Sequence, residues 1–350
     1  MEKNKQARSL LSGIAGPGFC VQDLQITAVT PAARKLSLRP GMDICPLLRH
    51  GAEEYTTYTG GCLYVTLELD GQPIGASVSR EDGQDVFLLD VIADDALRAM
   101  ALAARELRDP LTSLMVAMDR LEPLNEAQHQ QLGRMARSVQ QLQRILGNMS
   151  DAGRVVPFTR TEMGDVSAFF AELLEKAQTL LDRNPLTLTY HGLDGPVFAQ
   201  MDWETLERAV WNLLSNAIKF SPAGGHIQAT LSRQGRLLVF RLQDQGSGMD
   251  PRLNTDLFHR YQRQPRIEDS RYGLGLGLVL VRSAAAQHGG TVLIDHPDTV
   301  GTRVTMTLLL RQDAGDQLRS PRVDYAGEQD HALLELSEHL PPERYRKDQS

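Results

Sequence analysis

The apolar residues between 93 and 151 limit the fold of this chain more than any other feature. They fall at Leu97, Met100, Ala104, Leu107, Leu111, Leu114, Met118 and Leu121, in steps of three and four. After a break at Glu122-Pro123-Leu124-Asn125 the pattern resumes at Leu132, Met135, Val139, Leu142, Leu146 and Met149. Steps of three and four place one apolar seam along a helix, so the pattern predicts two heptad helices joined by a short turn. A two-helix hairpin has a narrow seam and little core. It is best buried by a second copy, which makes a four-helix bundle and predicts a homodimer through residues 93–151. The alternative is that the seam packs within the monomer.

On either side of the hairpin the period changes. Residues 19–92 read as short strands: Leu24–Val29, Leu63–Leu69, Ile74–Ser79 and Val86–Ile92, with a short helical Pro31–Leu36. Asp70-Gly71 and Asp82-Gly83 separate the last three, and Asp-Gly between β-rich runs predicts tight hairpins and an antiparallel meander. Residues 155–311 mix helices at 165–182, 203–220 and 276–288 with strands at Leu186–Tyr190, Ile227–Leu231, Leu237–Leu242, Thr291–Ile294 and Thr302–Leu309. The order is not regular βαβ alternation, which predicts a mixed or antiparallel sheet with helices on one face. The expected division is an extension over 1–18, a sensor-like domain over 19–92, the hairpin over 93–151, an α/β domain over 152–311 and a polar tail over 312–350. The tail reads as mostly flexible, with one short helix around Leu333, Leu334, Leu336 and Leu340.

Composition narrows the function classes. A net charge of −7 argues against a nucleic-acid binder held by phosphate contacts. No window approaches a continuous apolar span, so no transmembrane segment is expected. The start of the chain, broken by Ser12 and Gly13, does not read as a signal peptide. The three cysteines, Cys20, Cys45 and Cys62, have no paired spacing and suit free thiols in a reducing cytosol. A cytoplasmic protein is the expectation.

Three segments carry chemistry. Asn212, Asn216 and Lys219, followed by Phe220, share one helix face. Amide oxygens suit Mg²⁺ beside phosphates, and the ammonium suits a phosphate directly. Asp244-Gln245-Gly246-Ser247-Gly248 follows an apolar strand, so its carboxylate can accept from an exocyclic amine while Gly246 and Gly248 admit a planar base. Gly273-Leu-Gly275-Leu-Gly277 precedes a helix whose N-terminus favours phosphate, with Arg260, Arg263, Arg266 and Arg271 upstream as a cationic lid.

In this order and spacing the segments resemble the N, G1 and G2 boxes of histidine kinases, the family with the Bergerat ATP-binding fold. Leu257-Phe258-His259-Arg260-Tyr261-Gln262-Arg263 is similar to the F box, and His288-Gly289-Gly290-Thr291 to the close of the helix after G2. The likeness covers about 200–311 densely. It implies ATP and Mg²⁺ as cofactors, Asn216 as the Mg²⁺ ligand, Asp244 at adenine and Lys219 at phosphate, with Gly273, Gly275 and Gly277 as the lid hinge. It adds Asn212, Phe220, Gly246, Gly248, Tyr261 and Arg263 to the binding set. Glu106-Leu107-Arg108-Asp109-Pro110-Leu111 resembles the H box of the dimerisation and phosphoacceptor helix. Residues 19–92 resemble a PAS sensor domain in strand order.

Two positions depart from the family. Arg105 stands where the phosphoacceptor histidine belongs. A guanidinium is always protonated and only donates, so it cannot take a phosphoryl group as imidazole does. Glu106, the base beside the histidine in the family, is left without a nucleophile. Asp109 replaces the Thr or Asn of phosphatase-competent members, and its charge would repel an acyl phosphate. The expectation is a histidine-kinase-like signalling protein that binds ATP·Mg²⁺, does not phosphorylate itself at the usual position, and acts on a response regulator or an active histidine kinase. Alternatives are an active kinase using another acceptor, such as His129, or a partner in trans; an ATPase, slow because Asn212 is an amide and not a base; and an interaction module without nucleotide.

Overall fold

The computed structural model describes residues 7–12, 14, 16–90, 94–123, 125–152, 161–181, 186–248, 276–297, 300–311 and 330–345. The N-terminal part runs β1 (Gly18–Gln22), β2 (Gln25–Val29), α1 (Pro31–Arg34), β3 (Leu48–His50), α2 (Ala52–Thr56), β4 (Cys62–Leu69), β5 (Gln72–Glu81) and β6 (Gln84–Leu89). Asp70-Gly71 and Asp82-Gly83 have φ of 50°, 74°, 49° and 75°, the two positive values that a two-residue hairpin needs. Pairing runs through Leu69↔Gln72 and Glu81↔Gln84, so both turns are as tight as the sequence predicts. A third tight turn, Asp23-Leu24, has φ of 52° and 62° without any glycine and joins β1 to β2.

The hairpin is α3 (Asp94–Asp119) and α4 (Glu126–Ala152). Asn125 Oδ1 accepts from the Gln128 N–H at 2.9 Å and starts α4. Pro110 lies within α3 on its exposed side. Between the helices Leu111, Met118 and Val139 are buried. Leu107 and Leu114 on α3, Leu121 just after it, and Met135 and Leu142 on α4 are 40–52% exposed.

The last part runs β7 (Glu162–Asp165), α5 (Val166–Leu181), β8 (Thr187–His191), β9 (Phe198–Met201), α6 (Trp203–Phe220), β10 (His226–Gln234), β11 (Leu237–Gln243), α7 (Leu276–Gln287), β12 (Val292–Asp295) and β13 (Arg303–Leu309), then α8 (His331–Glu335). β8 is parallel to β10 and the other pairs are antiparallel, giving the mixed sheet. Every second residue, including Ile227, Ala229, Leu238, Phe240, Met306 and Leu308, is buried in one core with α5, α6 and α7. Phe170 lies 4.9 Å from Phe240, and Phe169 lies 5.1 Å from Trp203, ring to ring. β7 and β9 form a separate two-stranded sheet that the sequence pattern does not reveal.

The two sets of strands are joined. Among the described residues one eleven-stranded sheet runs β2-β1-β6-β5-β4-β12-β13-β11-β10-β8, with β3 also on β4. Val292, Leu293 and Ile294 pair with Tyr64, Leu63 and Cys62. Because strand side chains alternate, β4 serves two cores: Cys62 and Tyr64 face one, Leu63, Val65 and Leu67 the other. Side chains reinforce the seam. Arg282 on α7, 3% exposed, pairs with Asp90 and lies 5.1 Å above the Tyr64 ring. Glu54 Oε1 accepts from Thr307 Oγ1 at 2.8 Å.

Candidate functional site

Helix α6 is the scaffold of the site. Asp202 caps it by accepting from the Thr205 N–H at 3.1 Å, and Trp203, Leu206, Val210, Trp211 and Leu214 bury its inner face. His288 ties the end of α7 to the start of α6: its Nδ1 lies 2.8 Å from Ala284 O, and its Nε2 accepts from the Asp202 N–H at 3.0 Å. Nδ1 therefore carries the proton. Burial lowers the pKa of this ring and keeps it neutral. Gly290 passes so close to β13 that a Cβ would lie 1.8 Å from Thr307 O.

Around α6 the described parts of the three segments converge. Asn212 is buried and donates from Nδ2 to Arg208 O at 2.9 Å. A Cβ on Gly277 would stand 2.8 Å from Asn212 Oδ1, so glycine there lets the start of α7 approach the amide. A Cβ on Gly246 would stand 2.6 Å from Phe220 O and 2.9 Å from Asp244 Oδ1, so the 244–248 loop lies directly on the end of α6. Gly248 has φ of 74°. Asn216 is half-buried, and Phe220 is 36% exposed. Tyr261, Arg263, Gly273 and Gly275, with Arg260, Arg266 and Arg271, lie outside the described residues.

Asp244 is held from two sides. Its Oδ1 accepts from the Gly246 N–H at 2.7 Å and the Thr302 N–H at 3.1 Å, and its own N–H donates to Thr302 O at 2.9 Å. No donor among the described residues is assigned to Oδ2. Burial raises the pKa of this carboxyl above the ordinary value, and the two N–H donors offset that only in part. Gly301, at φ 123°, makes the approach of Thr302 feasible, because a Cβ there would be 1.9 Å from Asp244 O. Neither Gly301 nor Thr302 is marked as a site residue by the sequence pattern; they lie just before β13, far along the chain.

Lys219 has a partner the sequence does not suggest. Its Nζ lies 3.2 Å from Glu338 Oε2 in the C-terminal segment, while the other oxygen of Glu338 pairs with Arg144 of α4. Burial pushes Glu338 up, but Arg144 and Lys219 outweigh it and hold its pKa below the ordinary glutamate value. His339 Nε2 lies 3.1 Å from Ser215 Oγ. Burial, helped by Arg144 and Lys219 and opposed by Glu338, brings His339 from 6.5 down to about 4. A histidine that is neutral when docked and protonated when free disfavours docking in acid. Protection of amides 331–340 from hydrogen exchange is therefore expected to fall between pH 6.5 and about 4, and equal protection factors across that window would contradict it.

At the hairpin, Arg105 and Glu106 are exposed mid-way along α3. Asp109 follows one turn on, and His129 lies in the first turn of α4. Among the described residues no cluster of three or more His, Cys, Asp or Glu could hold a metal ion. No described helix is long and apolar enough to cross a membrane.

Residues 201–312 match the histidine kinase-, DNA gyrase B- and HSP90-like ATPase family, and residues 96–155 match the His Kinase A (phospho-acceptor) domain. The adaptive-response sensory kinase SasA of Parasynechococcus marenigrum (strain WH8102) is 27% identical over 317 residues, covering 84% of this chain and 82% of that protein. The sensor histidine kinase RppB of Synechocystis sp. is 26% identical over 216 residues, covering 59% of this chain and 48% of that protein. WalK of Bacillus subtilis, also a sensor histidine kinase, is 23% identical over 261 residues, covering 68% and 42%. Among solved structures, full-length ShkA in complex with AMPPNP shares the fold, with a TM-score of 0.50 and 18% identity over 62% of this chain and 47% of that one. The chain thus spans less than half the length of RppB, WalK and ShkA. The chain therefore carries a phosphoacceptor domain and an ATPase domain of the kind that sensor histidine kinases of two-component systems share.

Proposed function

We propose that this protein is a two-component signalling regulator that binds ATP·Mg²⁺ but cannot phosphorylate itself at the usual position. The observation that carries the nucleotide half is Asp244. Its Oδ1 is fixed by two backbone N–H groups, and Oδ2 is left for an exocyclic amine behind a loop that glycine keeps thin. Asn216 offers a hard amide oxygen on the same face of α6 as Asn212, which suits Mg²⁺. When bound, ATP would supply a γ-phosphoryl group. The protein's own part is to orient the base at Asp244 and the phosphates near Lys219 and the start of α7.

The observation that carries the second half is Arg105 within the matched phosphoacceptor segment. The exposed stripe of Leu107, Leu114, Leu121, Met135 and Leu142 supports pairing of two hairpins in a four-helix bundle. The order β2-β1-β6-β5-β4 supports a PAS-like sensor over 19–92. On this reading the protein works in the cytoplasm as a homodimer. It acts through its conformation on a response regulator or an active histidine kinase.

Thermal melting with ATP·Mg²⁺ tests the nucleotide half. A ligand at about a hundred times its dissociation constant stabilises the folded state by about 2.7 kcal/mol, which raises the melting temperature by several degrees. Asp244→Asn is expected to weaken ATP by about ten- to a hundredfold, the value of a hydrogen bond to a charged acceptor. No shift in the wild type at millimolar ATP would leave the interaction-module reading in its place.

A further inference from the structure

We propose that the C-terminal segment Asp330–Tyr345 is a cis-acting clamp on the nucleotide site: Glu338 occupies Lys219 in competition with nucleotide phosphate, and the same segment ties α6 to α4. The proposal rests on the nucleotide reading, specifically on Lys219 as a phosphate contact.

The segment is anchored at several points. Ala332, Leu336 and Leu340 are at most 1% exposed and belong to the same core as α5, α6 and α7. Asp330 Oδ1 caps α8 and pairs with Lys176 of α5 at 3.0 Å. His331 Nδ1 lies 3.2 Å from Glu207 Oε2, one side of α6. From α4, Arg137 donates to Ser337 O at 2.8 Å and to Glu338 O at 2.9 Å, and Gln141 donates to Ser337 O at 3.1 Å. Arg144 donates to Glu335 O at 2.8 Å and to Ser215 Oγ at 3.3 Å, besides its pairing with Glu338. One short segment therefore links the hairpin to α6 through side chains of both.

Its chemistry at Lys219 is that of an anion stand-in. Glu207, Ser215 and Lys219 form a row along α6 that faces the segment, adjoining the row of Asn212 and Asn216. Lys219 is on the border between the two and can serve either. Its side chain is only 14% exposed, so solvent screens the Glu338 pair less than it would a surface pair. A nucleotide phosphate that takes Lys219 has to displace this carboxylate, and displacement leaves Glu338 with Arg144 alone. Loss of the Lys219 contact loosens one of the ties between α6 and α4. Nucleotide binding and release of the segment are then thermodynamically linked, each disfavouring the other's absence by the same factor.

Titration calorimetry of the full chain with ATP·Mg²⁺ tests the clamp in four forms: wild type, Glu338→Gln, Lys219→Ala and the double variant. Glu338→Gln is expected to tighten ATP by about three- to tenfold, the range of a partly shielded ion pair. The gain should vanish in the Lys219→Ala background. A second measurement uses the wild type alone: ATP·Mg²⁺ should raise hydrogen exchange at amides 331–340. ATP that binds all four forms with unchanged relative affinity, or leaves exchange at 331–340 unaltered, overturns the clamp and spares the nucleotide reading. Absence of ATP binding in every form overturns both. Should Glu338→Gln fail to fold, the exchange result on the wild type decides.

Discussion

Incubated with labelled ATP and Mg²⁺, the wild-type chain is expected to stay unlabelled, while Arg105→His acquires an acid-labile, base-stable phosphoryl group. The difference expected is between background and at least about a hundredfold more label, because one form has a nucleophile and the other has none. Arg105 offers only N–H donors at any accessible pH, whereas imidazole is part neutral and nucleophilic near pH 7. The substitution itself is cheap: Arg105 is exposed on α3, where a change of side chain costs within about 0.5 kcal/mol. Glu106, next to it and equally exposed, would regain a partner to deprotonate. Acid-labile label on the wild type would instead favour an active kinase with another acceptor, His129 among the candidates. An unlabelled variant that still binds ATP would show that the block is not one side chain, and Asp109 or the docked C-terminal segment would be the next place to look.

Much of the fold is legible locally. The bounds of α6, 203–220, follow from its cap at Asp202 and its apolar face, and the hairpin follows from the heptad steps. The Asp-Gly turns announce two of the three tight hairpins in the first sheet. The third, at Asp23-Leu24, is silent because leucine seldom takes a positive φ. The seam between β4 and β12 is silent for another reason. It pairs residues more than two hundred positions apart, and no local signal marks such a partner. Burial agrees with the pairing: Cys62–Leu69 is buried on both faces apart from Glu68, a pattern of interior and not edge strands.

The site divides in the same way. Asp244 with its glycines, and Asn212 with Asn216, are readable from spacing because each group belongs to one element. Lys219 is readable as a cation on that face but not as the partner of Glu338: the apolar cluster at Leu333, Leu334, Leu336 and Leu340 marks a short helix in the tail, but not what that segment packs against. Its docking buries three apolar residues spaced four apart, Ala332, Leu336 and Leu340, in the core that holds α5, α6 and α7. The consequence of the seam is mechanical. Arg282 lies one and a half turns into α7, whose start carries Gly277 against Asn212. Asp90 and Tyr64 hold Arg282 from the first set of strands. These contacts join the first set of strands to α7 directly, without the hairpin.

Gly301→Ala is expected to weaken nucleotide binding sharply while every residue proposed to touch ATP is left in place. The position has φ of 123°, where a side chain is strained on conformational grounds alone, at about 1–3 kcal/mol. The added Cβ would also stand 1.9 Å from Asp244 O and 3.1 Å from Gln245 Cα, both backbone atoms that cannot rotate aside. Overpacking of that kind costs about 1–3 kcal/mol more. Relief requires the 300–302 backbone to retreat from Asp244, which breaks the Thr302 N–H bond to Oδ1 and the Asp244 N–H bond to Thr302 O together. Asp244 then loses one of the two donors that fix its carboxylate, and its Oδ2 is no longer aimed. Affinity for ATP falls by about tenfold to several hundredfold. Calorimetry with ATP·Mg²⁺ reads the loss directly, and circular dichroism at the same temperature separates it from unfolding. A folded Gly301→Ala chain that binds ATP as the wild type does would show that Asp244 does not need its β13 support, and would remove the positioning role assigned here to Thr302.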